Sequence, residues 1–174
     1  KGAGNGTGTP GLNGVTGFGY TVRYTNFSHG LEDWDMSHVL SVFGMFQDTT
    51  FNGDISRWDV SHVTNFSAMF YGNNSFNQDI GNWDISSATT LYGMFYGVGA
   101  FNQDLSRWNT SHVTAMNAVF YHATSFNQDI SNWDVRQVTN MNSMFDGATS
   151  FDQNLGRWDV SHVTDMANLF NDVR

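Results

Sequence analysis

FNQDISNWDV, residues 126–135, returns along the chain with its Phe and Trp at a constant step. Phe51, Phe76, Phe101, Phe126 and Phe151 stand 25 residues apart, and Trp58, Trp83, Trp108, Trp133 and Trp158 keep the same interval. A fixed period of about 20–50 residues marks a repeat architecture in which each unit buries its apolar face by stacking on its neighbours. Phe27, Leu31 and Trp34 have the relative spacing of Phe51, Ile55 and Trp58. Six units follow: 27–50, 51–75, 76–100, 101–125, 126–150 and 151–174. The first is one residue short, and aligning Gln47–Thr50 with Tyr71–Ser75 places the deletion there.

Each unit divides into two halves. The first, as in Phe76–Gly81, reads as a short extended strand anchored by Phe76 and Ile80. The second opens on a Thr and places apolar residues at i, i+3 and i+4, as in Met141, Met144 and Phe145. That spacing predicts one face of a short helix. Thr64, Thr89, Thr114, Thr139 and Thr164 fall where an N-cap hydroxyl belongs, and Gly72, Gly97 and Gly147 near the stop. Helices of about two turns are marginal alone, so stacking must hold them.

The 174 residues suffice for one domain with a core. Aromatic residues make up 16% of the chain, which points to an aromatic core. There is no Cys, so disulfides, thiol catalysis and cysteine-held metal are excluded. The net charge of −9 repels phosphate backbones and anionic lipid, which argues against a nucleic-acid partner. No apolar run approaches the ~20 residues that span a bilayer. Residues 1–17 form a Gly-rich stretch expected to be a flexible arm. In residues 18–26, Phe18, Tyr20, Val22 and Tyr24 alternate with Gly19, Thr21 and Arg23, which predicts a cap strand over the first of the six units in 27–174.

The recurring pattern, best seen in SFNQDISNWDVRQVTNMN at residues 125–142, resembles the BspA-like leucine-rich repeats of the DUF285 type. The resemblance covers residues 27–174. It implies an α/β, right-handed leucine-rich-repeat-like solenoid of six coils, each with a short parallel strand and a short helix. It also implies a surface or secreted protein, adhesin-like in some relatives, with no catalytic motif to carry over.

Stacking turns each repeated residue into a column with a step near ~4.8 Å. Two columns are acidic: Asp54, Asp79, Asp104, Asp129 with Asn154, and Asp35, Asp59, Asp84, Asn109, Asp134, Asp159. Carboxylates that close repel unless something answers them. One answer is that each accepts a backbone N–H at a turn, as Asn154 and Asn109 also can. The other is a hard cation such as Ca²⁺, with Asp54, Asp79, Asp104 and Asp129 as ligands. Arg57, Arg107 and Arg157 recur at every second unit and read as charge balance or as a recognition stripe.

The pairs Ser61-His62, Ser111-His112 and Ser161-His162 invite a catalytic reading. A triad needs one unique geometry, and a motif copied in several units is scaffold first. The expectation is therefore no enzyme and no required cofactor. One Thr per unit also allows an ice-binding array, a weaker reading than capping.

No capping segment follows the sixth unit in this sequence, so the expectation is that either the natural polypeptide continues or another subunit covers Leu169, Phe170 and Val173 as an assembly end. The function expected is a non-enzymatic module for protein–protein interaction or structural assembly, extracellular or at a cell surface. It would be adhesin-like or a peripheral subunit of a larger complex, with a protein partner or neighbouring subunit at its open end. A calcium-stabilised structural or surface-layer role is the alternative. Gln78, Gln103 and Gln128, beside Asp79, Asp104 and Asp129, are the binding candidates on the strand face.

Overall fold

The computed structural model describes residues 14–19 and 30–173. The arm at 1–13 and all but Phe18 and Gly19 of the expected cap strand lie outside those residues, as does Phe27. The described chain winds into tiers that lie one on the next. Single-residue parallel bridges join them in the order Gly17, Ser41, Asn65, Thr90, Ala115, Asn140 and Asp165. The first repeated step is 24 residues and the later ones 25, because Ser41 meets Asn65 while Asn65 meets Thr90.

The expectation of an α/β leucine-rich-repeat solenoid with a strand and a helix in each coil is overturned. Among the described residues there is no helix, and strand pairing is confined to those isolated bridges. The tiers are built from turns. In the second unit Met69 N–H donates to Phe66 O, Tyr71 N–H to Ala68 O and Asn73 N–H to Phe70 O, each three residues back. The alternate N–H groups leave the unit: those of Phe66, Ala68, Phe70 and Gly72 donate to Thr90, Tyr92, Met94 and Tyr96 of the next tier. An α-helix would have sent them four residues back within its own segment.

Backbone handedness explains the failure. Gly44, Ala68, Gly93, Ala118, Ser143 and Asn168 all have φ between 54° and 60°. Four residues later Asp48, Gly72, Gly97, His122, Gly147 and Asp172 are left-handed again. A positive φ at the third residue is what a type II turn requires, and it stops a right-handed helix at once. Two consecutive turns of this kind still direct residues i, i+3 and i+4 inward, so the apolar spacing imitates a helix. Accordingly Phe66, Met69 and Phe70 are fully buried.

The parallel link also lies elsewhere than expected, in the second half of each unit and not in the Phe-Asn-Gln-Asp-Ile half. There a side chain replaces the backbone acceptor: Asn52 Oδ1 takes Asn77 N–H at 2.9 Å, Asn77 Oδ1 takes Asn102 N–H at 3.0 Å, and Asn102 Oδ1 takes Asn127 N–H at 2.9 Å. The Thr residues cap no helix. Thr89 uses both its N–H and its hydroxyl on Thr64 O of the tier before, at 2.9 and 3.2 Å.

The core is a set of aromatic files. Phe70, Phe95, Phe120 and Phe145 stack across tiers with ring centres 5.6 to 5.8 Å apart. Each also lies on the opening Phe of the next unit, as Phe70 does on Phe76 at 3.8 Å. Such pairs are worth about 0.5–1.5 kcal/mol beyond the burial of their surface. The short first unit is repaired by Asn73, fully buried, whose amide donates to Phe51 O at 2.8 Å and Thr49 Oγ1 at 3.3 Å. At the other end Phe18, buried, stacks on Trp34 at 5.4 Å, and Leu40 N–H donates to Thr16 O.

Candidate functional site

The polar face carries the acidic columns. Ser56 N–H donates to Asp54 Oδ1 at 2.9 Å, and Gly81, Ser106 and Ser131 do the same to Asp79, Asp104 and Asp129 at 2.8 to 3.0 Å. Asn154 holds the same bond to Gly156 N–H at 2.8 Å, so the position needs an acceptor and not a charge. The second column repeats the arrangement, with Asp59 accepting both the N–H and the hydroxyl of Ser61 at 3.1 and 2.6 Å. These bonds favour the ionised carboxyl. The Ser61 hydroxyl and N–H hold Asp59 below its ordinary value, and the Ser131 pair does so for Asp129. Arg136 draws Asp134 furthest, to about 2, through a 2.6 Å ion pair. Among the described residues no three His, Asp or Glu side chains gather into a metal-holding group.

The candidate glutamines face the tier before them. Gln78 Nε2 donates to Asn52 O at 3.0 Å and Asn52 Oδ1 at 3.1 Å. Gln103 and Gln128 repeat this clamp on Asn77 and Asn102. Their amide nitrogens therefore hold tiers together. Beside them the Asp and Arg columns line shallow concavities, one formed by Asp79, Asn82, Asp104 and Arg107 and another by Asp129, Asn154 and Arg157. Arg107 Nη1 donates to Asn82 Oδ1 at 3.0 Å, while Asn132 of the same column donates its amide to Ser106 O at 2.6 Å.

The Ser111-His112 pair is not assembled for proton transfer. The Ser111 hydroxyl has one proton, and it lies 2.7 Å from Asn109 Oδ1 against 3.4 Å from His112 Nδ1. His112 Nδ1 is itself 3.0 Å from Ser86 O, a partner that only accepts, so that nitrogen is the donor. A base carrying a proton on the facing nitrogen cannot take another from the serine.

The last tier differs from every other. Phe170 is 51% exposed, and Val160 and Met166 are each 37% exposed. The residues equivalent to them in unit 126–150, Phe145, Val135 and Met141, are buried. Leu169 and Val173, expected at an open end, are only partly buried and pack against the core. Sequence reading missed Val160 and Met166, although the columns of Val135 and Met141 pointed to them. The backbone is open as well. Among the described residues, the N–H groups of Met166, Asn168, Phe170 and Asp172 have no backbone acceptor, while those of Met141, Ser143, Phe145 and Gly147 donate to Asp165, Ala167, Leu169 and Asn171.

A further column escaped the sequence reading. Tyr71, Tyr96 and Tyr121 stack at 4.0 and 4.3 Å, half-buried along one side. Desolvation and the neighbouring Tyr71 phenol push the Tyr96 hydroxyl above its ordinary pKa. The signal was available as Tyr at a constant 25-residue step.

No helix among the described residues is long and apolar enough to cross a membrane. No curated protein and no solved structure matches the chain. The family model described as "Mycoplasma protein of unknown function, DUF285" matches residues 18–112 and again 83–174. Those segments cover most of the sequence, with the repeated tiers inside them, and the chain belongs to the DUF285 family.

Proposed function

We propose that this chain is a non-enzymatic module for protein–protein interaction and structural assembly, working through the polar face of its repeated tiers. The observation that carries the reading is the regular polar face, on which the Asp and Arg columns recur from tier to tier and line open concavities, Asp79, Asn82, Asp104 and Arg107 in one and Asp129, Asn154 and Arg157 in another. The resemblance to BspA-like surface proteins supports a place at a cell surface or outside the cell. The acidic net charge of −9 favours a protein partner over a nucleic acid.

Affinity capture from the native source with two baits tests this reading. The wild-type chain is expected to retain a stoichiometric protein that the R107E/R157E chain loses. Both positions are open to solvent, so the double variant should keep its unfolding midpoint. Recovery of the same proteins by both baits would overturn the proposal.

A further inference from the structure

We infer that the tyrosine column is a site of oxidative cross-linking, at which Tyr96 is joined covalently to a stacked neighbour, Tyr71 or Tyr121. The oxidant is hydrogen peroxide acting through a haem peroxidase, which takes electrons from phenols one at a time. The inference goes beyond the interaction reading and does not depend on what the polar face binds.

The rings are already in place. Tyr71 and Tyr96 have ring centres 4.0 Å apart and planes 9° apart, and Tyr121 follows Tyr96 at 4.3 Å and 14°. The backbone fixes this register, because Gly72 N–H donates to Tyr96 O and Gly97 N–H to Tyr121 O, both at 2.7 Å. Equivalent places in successive tiers leave the hydroxyls at one end of the stack, where the Tyr71 and Tyr121 phenols both act on that of Tyr96. Gly93 lies against the Tyr71 ring, and a Cβ there would meet Cδ2 at 3.5 Å. Without a side chain at that place the ring keeps room to tilt and bring its edge to the edge of its neighbour.

Access selects the same groups. The three rings are half-buried, while the indoles of those middle tiers, Trp58, Trp83, Trp108 and Trp133, are buried. The chain has no Cys to take the oxidant instead. A phenol that gives up an electron and its hydroxyl proton becomes a phenoxyl radical, with unpaired spin on the oxygen and on the ortho carbons. Two such radicals, on Tyr96 and its neighbour, form one ortho–ortho carbon–carbon bond. Each ring regains its aromaticity as the ortho hydrogen is lost as a proton and the oxygen takes one up. Two phenols thus give two electrons and two protons, and one peroxide takes all four and leaves as two waters. The new bond closes a 25-residue step between tiers and restricts the unfolded chain as a disulfide would.

The test treats the 174-residue chain with haem peroxidase and hydrogen peroxide, then cleaves it before aspartate. That cleavage leaves Tyr71 in 59–78, Tyr92 and Tyr96 in 84–103, and Tyr121 in 104–128. The expected product runs as a monomer on a denaturing gel and fluoresces as dityrosine. Its peptide 84–103 should be joined to 59–78 or to 104–128, with a mass two hydrogens below the sum. Y96F should lower this yield by about tenfold or more, since stacking makes the coupling an intramolecular step between placed groups. Y92F, at a phenol 41% exposed and outside the stack, should leave the yield unchanged. The treated wild-type chain should also unfold several degrees above treated Y96F. Loss of the product in Y92F and not in Y96F, links between chains alone, the same yield from a chain unfolded in urea, or equal midpoints would overturn the inference.

Discussion

The indole Nε1 of Trp108 donates to the carbonyl oxygen of Ile80, 28 residues earlier, at 3.0 Å. The same bond joins Trp83 to Ile55 and Trp133 to Leu105, also at 3.0 Å. Each tryptophan thus serves its neighbour as well as its own tier. Trp108→Phe keeps an aromatic body but leaves a buried carbonyl without its donor, at a cost of about 1–3 kcal/mol. Trp108→Ala adds a cavity and should cost about 3–5 kcal/mol. Urea unfolding of the two variants checks both values and their order.

The left-handed residues give a test of turn against helix. In a helix interior Ala118→Gly would cost about 0.5–1 kcal/mol. At φ 55° the alanine is instead the strained residue, by about 1–2 kcal/mol. The extra freedom glycine gives the unfolded chain offsets about 0.4–1 kcal/mol of that gain. Ala118→Gly should therefore leave the unfolding midpoint unchanged or raise it, while Ala118→Val should lower it, since a β-branched residue rarely adopts positive φ.

Asn102 accepts from Asn127 N–H and from Gln128 Nε2. Asn102→Ala strands a half-buried backbone donor and should cost about 1–3 kcal/mol, against about 0.5–1.5 kcal/mol for Gln128→Ala. Asn102→Asp keeps the acceptor and should cost least. Chemical denaturation of the three variants ranks them.

Acid should weaken the stack. Asp35, Asp54, Asp59, Asp104, Asp129, Asp134 and Asp159 are all held below the ordinary carboxyl value, most by the serine two residues on. A carboxyl depressed in the folded state contributes stability that is fully present above its unfolded pKa, near ~3.9. That contribution drains away as the pH falls through the folded value. The thermal midpoint should therefore drop steadily from about pH 4 towards the value of about 2 held by Asp134. Arg136→Ala should return Asp134 towards 3.8 in a carboxyl titration followed by NMR, with little change in the unfolding midpoint because the pair is on the surface.

The period and the aromatic core were legible because stacking forces equivalent residues into equivalent surroundings. The deletion in the first unit was legible too: Thr49 and Asn73 still meet, and the missing residue lies just after them. The helix was misread because residues 66, 69 and 70 face inward on successive turns as they would on a helix. The correcting signal was Gly44 and Gly93 in the middle of the supposed helix, in one column with Ala68, Ala118, Ser143 and Asn168. The strand was placed in the wrong half because a side-chain amide does there what a backbone carbonyl does in a sheet. The turn role of the aspartates was readable from Asn109 and Asn154. The clamp made by the glutamines was not, since it needs the neighbouring tier in place.

The three phenols of Tyr71, Tyr96 and Tyr121 lie nearly parallel at van der Waals separation. Chromophores that close and that aligned share their electronic excitations, so their ultraviolet band carries the signature of an ordered array and not of three independent rings. A slip of one residue between neighbouring units would part them and extinguish it. The molecule thus contains an optical gauge of its own alignment, readable by near-ultraviolet circular dichroism while the rest of the chain keeps its compactness.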